Sequence, residues 1–89
     1  MALTDTFTKT VKHSGKPAGD KHSDGGGMYL HVKAAGKYWR MAYRMHGKQR
    51  TLYIGVYPAV SLAQAREARK RAKELLAQDI DPSTAKREE

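Results

Sequence analysis

The sequence predicts an α+β domain: a three-stranded antiparallel sheet, four-stranded if a short edge piece joins it, packed on one C-terminal α-helix. Apolar and polar side chains alternate with period two through three runs between Met28 and Val56, short turn-forming segments separate those runs, and a capped stretch of helical period follows from Ser61. Connections this short join antiparallel neighbours.

Residues 1–27 form an irregular lead-in. Leu3 to Val11 can make a helical turn or a short strand, whereas Gly15, Pro17, Gly19 and Gly25-Gly26-Gly27 make His13 to Gly27 mostly loop. A short extended piece over 20–23 can enter the sheet as an edge strand. The triple glycine is not a phosphate loop, because the Lys-Ser/Thr that ends a Walker motif is missing and no helix follows. It reads as a turn into a strand.

The sheet-plus-helix region spans 28–78. In Met28 to Lys33, the residues Met28, Leu30 and Val32 share one face, with Tyr29, His31 and Lys33 on the other. After the turn at 34–37, Tyr38 to Met45 sends Trp39, Met41, Tyr43 and Met45 inward and Tyr38, Arg40, Ala42 and Arg44 outward. His46-Gly47-Lys48 makes the next turn. Thr51 to Val56 then directs Leu52, Ile54 and Val56 inward and Thr51, Tyr53 and Gly55 outward, until Pro58, which lacks an N–H, ends the pairing. Ser61 and Gln64 make a capping box for a helix whose stripe of Ala65, Ala68, Ala72, Leu75 and Leu76 must cover the sheet's inner face. Asp81-Pro82 stops it past about Gln78, and 79–89 form a C-terminal tail.

Charge narrows the function. The net charge is +8, yet 25–60 carries six basic residues and no acid, while 1–24 and 61–89 each net only +1. A segment wholly without Asp and Glu points to a polyanionic partner; the bland alternative is charge kept for solubility. The outer sheet face collects Tyr29, His31, Lys33, Tyr38, Arg40, Arg44 and Tyr53, with Lys48 and Arg50 at the adjacent hairpin. Forked arginines can meet phosphates or guanine edges, and Tyr and His add stacking and hydrogen bonds, so these nine residues are the candidate contacts to double-stranded DNA. Each taken singly could instead serve β propensity on a wet surface. On the helix, Arg66, Arg69, Lys70 and Lys73 share a stripe, but i,i+4 neighbours such as Glu67 and Arg71 fit an ordinary solvated helix.

Other chemistry finds little support. The chain has no cysteine, which excludes disulfides and thiolate metal sites and fits a reducing cytoplasm. His13, His22, His31 and His46 are scattered, so no metal and no cofactor is expected. Ser23, His22 and Asp24 are adjacent on a loop and cannot line up as nucleophile, base and orienter, so no catalytic residue is expected either. No apolar run here reaches the length of a membrane span, and Met1 to Gly19 lacks the apolar stretch of a secretory signal, so a soluble intracellular protein is expected. The exposed tyrosines do not follow the RNP pattern of an RNA-recognition sheet.

The blocks Ser23-Asp24-Gly25-Gly26-Gly27-Met28-Tyr29-Leu30-His31-Val32 and Lys37-Tyr38-Trp39-Arg40-Met41-Ala42-Tyr43-Arg44 resemble the N-terminal domain of P4-like prophage integrases, which are tyrosine recombinases. Gly47 to Leu52, Ile54 to Pro58, Ser61 to Arg66 and Ile80-Asp81-Pro82 continue in that family's order, so the likeness runs from about Leu3 to Ser83. The resemblance implies a domain that binds arm-type DNA sites in support of integration and recombination, with core-binding and catalytic domains downstream of where this chain stops. It implies no catalytic role for Tyr29, Tyr38, Tyr43, Tyr53 or Tyr57, and it makes other integrase protomers and accessory DNA-bending proteins candidate partners of the full-length complex. An alternative is a protein-interaction module that couples protomers or an accessory factor through the helix and Leu62. Asp79 stands where that family often has glycine, a residue that eases a left-handed helix cap.

Overall fold

The structure, a computed structural model, describes residues 3–15 and 19–83; the rest of the predicted lead-in and tail lies outside the described residues. Its elements are α1 (Asp5–Thr10), β1 (Asp20–Gly25), β2 (Met28–Lys33), β3 (Gly36–Met45), β4 (Lys48–Tyr57) and α2 (Leu62–Ala77). The four strands form one antiparallel meander in the order β1-β2-β3-β4. The edge strand expected over 20–23 is thus present and runs on to Gly25. Strands β3 and β4 are longer than their alternation suggested, because only His46 and Gly47 separate them. Both adopt positive φ, 53° and 77°, the backbone of a two-residue hairpin whose twist matches its strands.

Of the two conformations open to Leu3–Val11, the helix is the one adopted. Thr4 caps α1 by accepting from the Phe7 N–H, and Lys37 closes its far end by donating from Nζ to the carbonyls of Thr8 (2.7 Å) and Lys9 (3.0 Å). A cation there meets the negative pole of the helix and unsatisfied carbonyls. Leu3 and Val11, which bracket α1, pack on the same cluster as Leu62 and Ala65 of α2, so both helices lie on one side of the sheet. No helix among the described residues is long and apolar enough to cross a membrane.

The core follows the predicted phase through Met28, Leu30, Val32, Trp39, Met41, Tyr43 and Leu52, all buried. Trp39 is fully enclosed; its Nε1–H donates to the Val60 carbonyl (2.8 Å), and its ring meets Tyr57 edge-on. A second cluster joins Met41, Tyr43 and Leu52 to Ala72, with Leu76 packed against it. Leu62, which the protein-interaction alternative needs on the surface, is only 3% exposed and belongs to the core.

The inward assignment of Val56 is overturned. Trp39 pairs with Gly55 and Arg40 with Tyr53, so Ile54 is an extra residue on β4, a bulge that reverses the phase beyond it. Gly55 is buried beside Trp39, whereas Val56 is exposed and opposite Tyr38. A Cβ on Gly55 would lie 2.4 Å from Cγ2 of Val60, where the chain folds back through a Val60 N–H to Val56 carbonyl bond. Only glycine lets β4 turn this close to its own continuation.

At the far end, α2 closes with the Asp79 N–H bonded to Leu76 and the Ile80 N–H bonded to Leu75 carbonyl oxygens, a Schellman arrangement with Asp79 at φ 61°. The chain then docks on the sheet. Asp81 accepts from the Tyr43 hydroxyl (2.6 Å) and from the Ser83 N–H (2.9 Å), and Pro82 is buried. Desolvation, and then the Asp81 carboxylate beside it, raise the Tyr43 pKa.

Two substitutions test this packing. Trp39→Ala should cost about 3–5 kcal/mol, because neither sheet nor helix can close over the lost indole volume. Chemical denaturation would measure it, and a loss below about 1 kcal/mol would mean that Trp39 is not enclosed. Asp79→Gly should instead stabilise the domain by roughly 0.5–1 kcal/mol by relieving a left-handed Cβ, with the midpoint rising in the same assay. An unchanged or lower midpoint would contradict the cap geometry.

Candidate nucleic-acid interface

With both helices on one side, the opposite sheet face is left open, and cross-strand register defines its rows. Ser23, Tyr29, Arg40 and Tyr53 form one row across the four strands, and Lys21, His31, Tyr38 and Val56 the next. Towards the β3–β4 tip come Ala42 opposite Thr51 and Arg44 opposite Gln49. Lys33 lies at the other end of β2, paired with Gly36. No described strand position on this face carries a carboxylate. Asp20 is in the opposite phase, aligned with Val32, and accepts hydrogen bonds from the Ser14 N–H and hydroxyl.

Cations and aromatic rings are interleaved here. The Lys21 Nζ sits 5.5 Å from the Tyr29 ring centroid and the Arg40 guanidinium 5.9 Å from that of Tyr38. Such contacts hold long cationic side chains over the rings without neutralising them. Tyr53 is 47% exposed and Arg44 is exposed, while Tyr29, Lys33, Tyr38 and Arg40 are half-buried.

The structure brings together Tyr29, Lys33, Tyr38, Arg40, Arg44 and Tyr53, but three other predicted residues sit differently. His31 has the expected phase but is only 5% exposed, with Nε2 packed against Gly19 and the ring beside Tyr29, so it offers a duplex little surface. Arg50 pairs with Tyr43 and therefore lies on the helix side, with Nη1 3.8 Å from the Asp81 carboxylate that Tyr43 also contacts. Lys48 pairs with Met45 in that same phase, exposed at the tip. Both lie at the hairpin, as expected, and the two-residue turn sets their phase by putting even-numbered positions at the start of β4 on the helix side. Lys21 was missed. Pairing the edge strand with β2 would have found it, since period two places Lys21 outward wherever Asp20 faces in.

The helix cations prove to be structural in part. Asp24, bulged out of the β1–β2 ladder, has a side chain 1% exposed and receives Arg66 and Arg69, each 3.0 Å away. It also accepts from the Leu3 N–H (2.6 Å), and Arg66 donates to the Leu3 carbonyl (2.7 Å). One carboxylate thus joins the start of the chain, the β1–β2 turn and α2. Burial by itself would raise the Asp24 pKa; the hydrogen bonds from Arg66 and Leu3 and the charges of Arg66 and Arg69 outweigh it and hold it below the ordinary carboxylate range. Arg66 and Arg69, read from the sequence as part of a solvated helix stripe, are engaged in this tertiary contact. Among the described residues no group of three or more His, Asp and Glu is gathered as a metal site.

The sequence has known relatives. The family described as Arm DNA-binding domain matches residues 3–89, and the chain belongs to it. It is 54% identical over 91 aligned positions to the integrase of Enterobacteria phage P4, covering 99% of this chain and 20% of that protein. The prophage integrase IntA of Escherichia coli K12 is 46% identical over 98% of this chain and 21% of its own length, and the Shigella phage Sf6 integrase 38% over 72% and 17%. The chain spans about a fifth of the length of these relatives.

The Asp24 contact generates a signed pH prediction. Because its pKa is lowered on folding, its contribution is present above the unfolded aspartate value, about 3.9, and is lost as pH falls through the lower folded value. Asp24→Asn should therefore cost about 2–3 kcal/mol at pH 7, less than a fully buried pair because both arginines can partly rehydrate. The gap between wild type and variant should close below pH 4. Urea denaturation from pH 7 to pH 2 measures it, and a constant gap would contradict the ion pairing.

Proposed function

We propose that this domain binds arm-type sites in double-stranded DNA, in a sequence-specific manner, through the open face of the sheet, and so supports site-specific integration and recombination by a phage or genomic-island integrase of the tyrosine recombinase class. The observation that carries this reading is a carboxylate-free face bearing Lys21, Lys33, Arg40 and Arg44 among tyrosines, opposite the face the helices occupy. In a full-length recombinase the cleavage chemistry belongs to the remaining four fifths; this part supplies anchorage.

Dimensions favour a particular pose. Four strands at about 4.8 Å spacing span about 14 Å between outer axes, against a major groove about 12 Å wide. Not every strand fits between the phosphate backbones. Centring β3 places Arg40 and Arg44 over base edges and leaves Lys21 of β1 above a phosphate track, where a cation adds affinity without sequence information. Tyr29 and Tyr53, which flank Arg40 in its row, supply hydroxyls and ring edges on either side.

Arg40→Ala and Arg44→Ala should each weaken DNA binding while leaving the thermal midpoint nearly unchanged. A lost guanine contact should cost roughly 1–3 kcal/mol and relax preference at one base position, whereas a lost phosphate contact should weaken all sequences and lower the salt slope by about one. Fluorescence anisotropy on a selected and a scrambled duplex across salt concentrations separates these. Wild-type affinity in both variants would overturn the sheet-face reading.

A further inference from the structure

We infer that Gln49, paired across the hairpin with Arg44, is a base-reading residue that recognises an adenine next to the base pair met by Arg44. This rests on the sheet-face reading above and adds a second determinant to it. β2 ends at Met28 opposite Met41, and the Ala42 N–H still bonds to the Gly27 carbonyl of the β1–β2 turn; beyond that bond β3 has β4 as its only strand neighbour, so residues 42–51 run out from the turn as a two-stranded ribbon. That ribbon is slender enough to follow a major groove that a four-stranded sheet overfills. Its open face carries four residues: Ala42 opposite Thr51, then Arg44 opposite Gln49.

The side chains are graded for contact. Arg44, Gln49 and Thr51 are all exposed, and Ala42, Tyr43, Arg44 and Gln49 line a shallow recess of about 240 Å³. Ala42 gives that recess a short floor, so a base edge can approach between the longer neighbours. Gln49 is uncharged and releases no counterion, so its carboxamide is poorly matched to a purely electrostatic role on a face otherwise rich in cations. One donor and one acceptor on a planar amide fit the N6 and N7 of adenine, as the Arg44 fork fits O6 and N7 of guanine. Cross-strand partners sit about 5 Å apart. With the strands running along the groove they lie side by side across it, and the ends of two such long side chains can meet the edges of adjacent base pairs. The Arg40 row lies four residues further along β3, about 13 Å away at strand rise, which separates the two reading positions by about four base pairs.

Selection of bound duplexes from a random pool should be run on wild type, Gln49→Ala, Gln49→Glu and Arg40→Ala. Wild type should return an Arg44-dependent position with an A·T preference beside it, and an Arg40-dependent position about four base pairs away. Gln49→Ala should erase an A·T preference beside the Arg44-dependent position and reduce discrimination there by about fivefold or more, with the Arg40-dependent position intact and the salt slope unchanged. Gln49→Glu, which can only accept, should shift preference there towards C·G. If Gln49→Ala selects the wild-type sequence, or if it weakens every duplex equally, Gln49 is not a base reader and the inference fails while the sheet-face reading stands. If Arg40→Ala also leaves selection and affinity untouched, the failure is that of the sheet-face reading itself.

Discussion

The enclosure of Trp39 organises this domain. Its indole fills the space between the middle of the sheet and the start of α2, and its single polar atom is satisfied by the Val60 carbonyl immediately before the Ser61 cap. That bond sets where the chain leaves β4 and the angle at which α2 begins. A buried N–H without a partner would cost on the order of 1–3 kcal/mol, so ring and carbonyl must settle together. With the helix fixed over Trp39, Leu30 and Met28, every residue of opposite phase on β2 and β3 faces outward. The open face is a consequence of what the core needs.

The Asp24 contact completes that arrangement from the other edge. Asp24 gathers two helix arginines and the Leu3 backbone around one buried carboxylate, which ties the segment before α1 to the covered side. Arg66 and Arg69 are engaged there, and Lys37 is engaged at the end of α1. Some cations thus hold the fold while others are presented by the open face. Counting lysines and arginines along the sequence cannot make that division.

Much of the fold was legible because it rests on local periodicity: β2, β3 and α2 follow directly from alternation, short turns and the Ser61-Gln64 capping box. The errors arise where one residue changes a register. The bulge at Ile54 exchanges the roles of Gly55 and Val56, and apolarity alone argued for the wrong one, since buried glycine contributes no side chain to the pattern. The tight His46-Gly47 turn fixes Arg50 opposite Tyr43, a pairing visible only once the turn length is known. His31 has the right phase yet is covered by the chain at Gly19, just before β1, a contact between β2 and a loop residue that no periodicity encodes. Of the candidate site, the central row of Tyr29, Arg40 and Tyr53 could be read directly, and Lys21 only after β1 is paired.

In the proposed mode of binding, DNA meets the open sheet face and leaves the helices free. Nuclear magnetic resonance titration of the labelled domain with a selected duplex addresses this directly, because side-chain signals report on each surface separately. The Arg40 and Arg44 guanidinium and the Tyr29, Tyr38 and Tyr53 ring resonances should shift and show intermolecular contacts to DNA, while Lys70, Arg71 and Lys73 on α2 stay near their free positions. Intermolecular contacts centred on those α2 cations, with the sheet-face resonances unmoved, would contradict it.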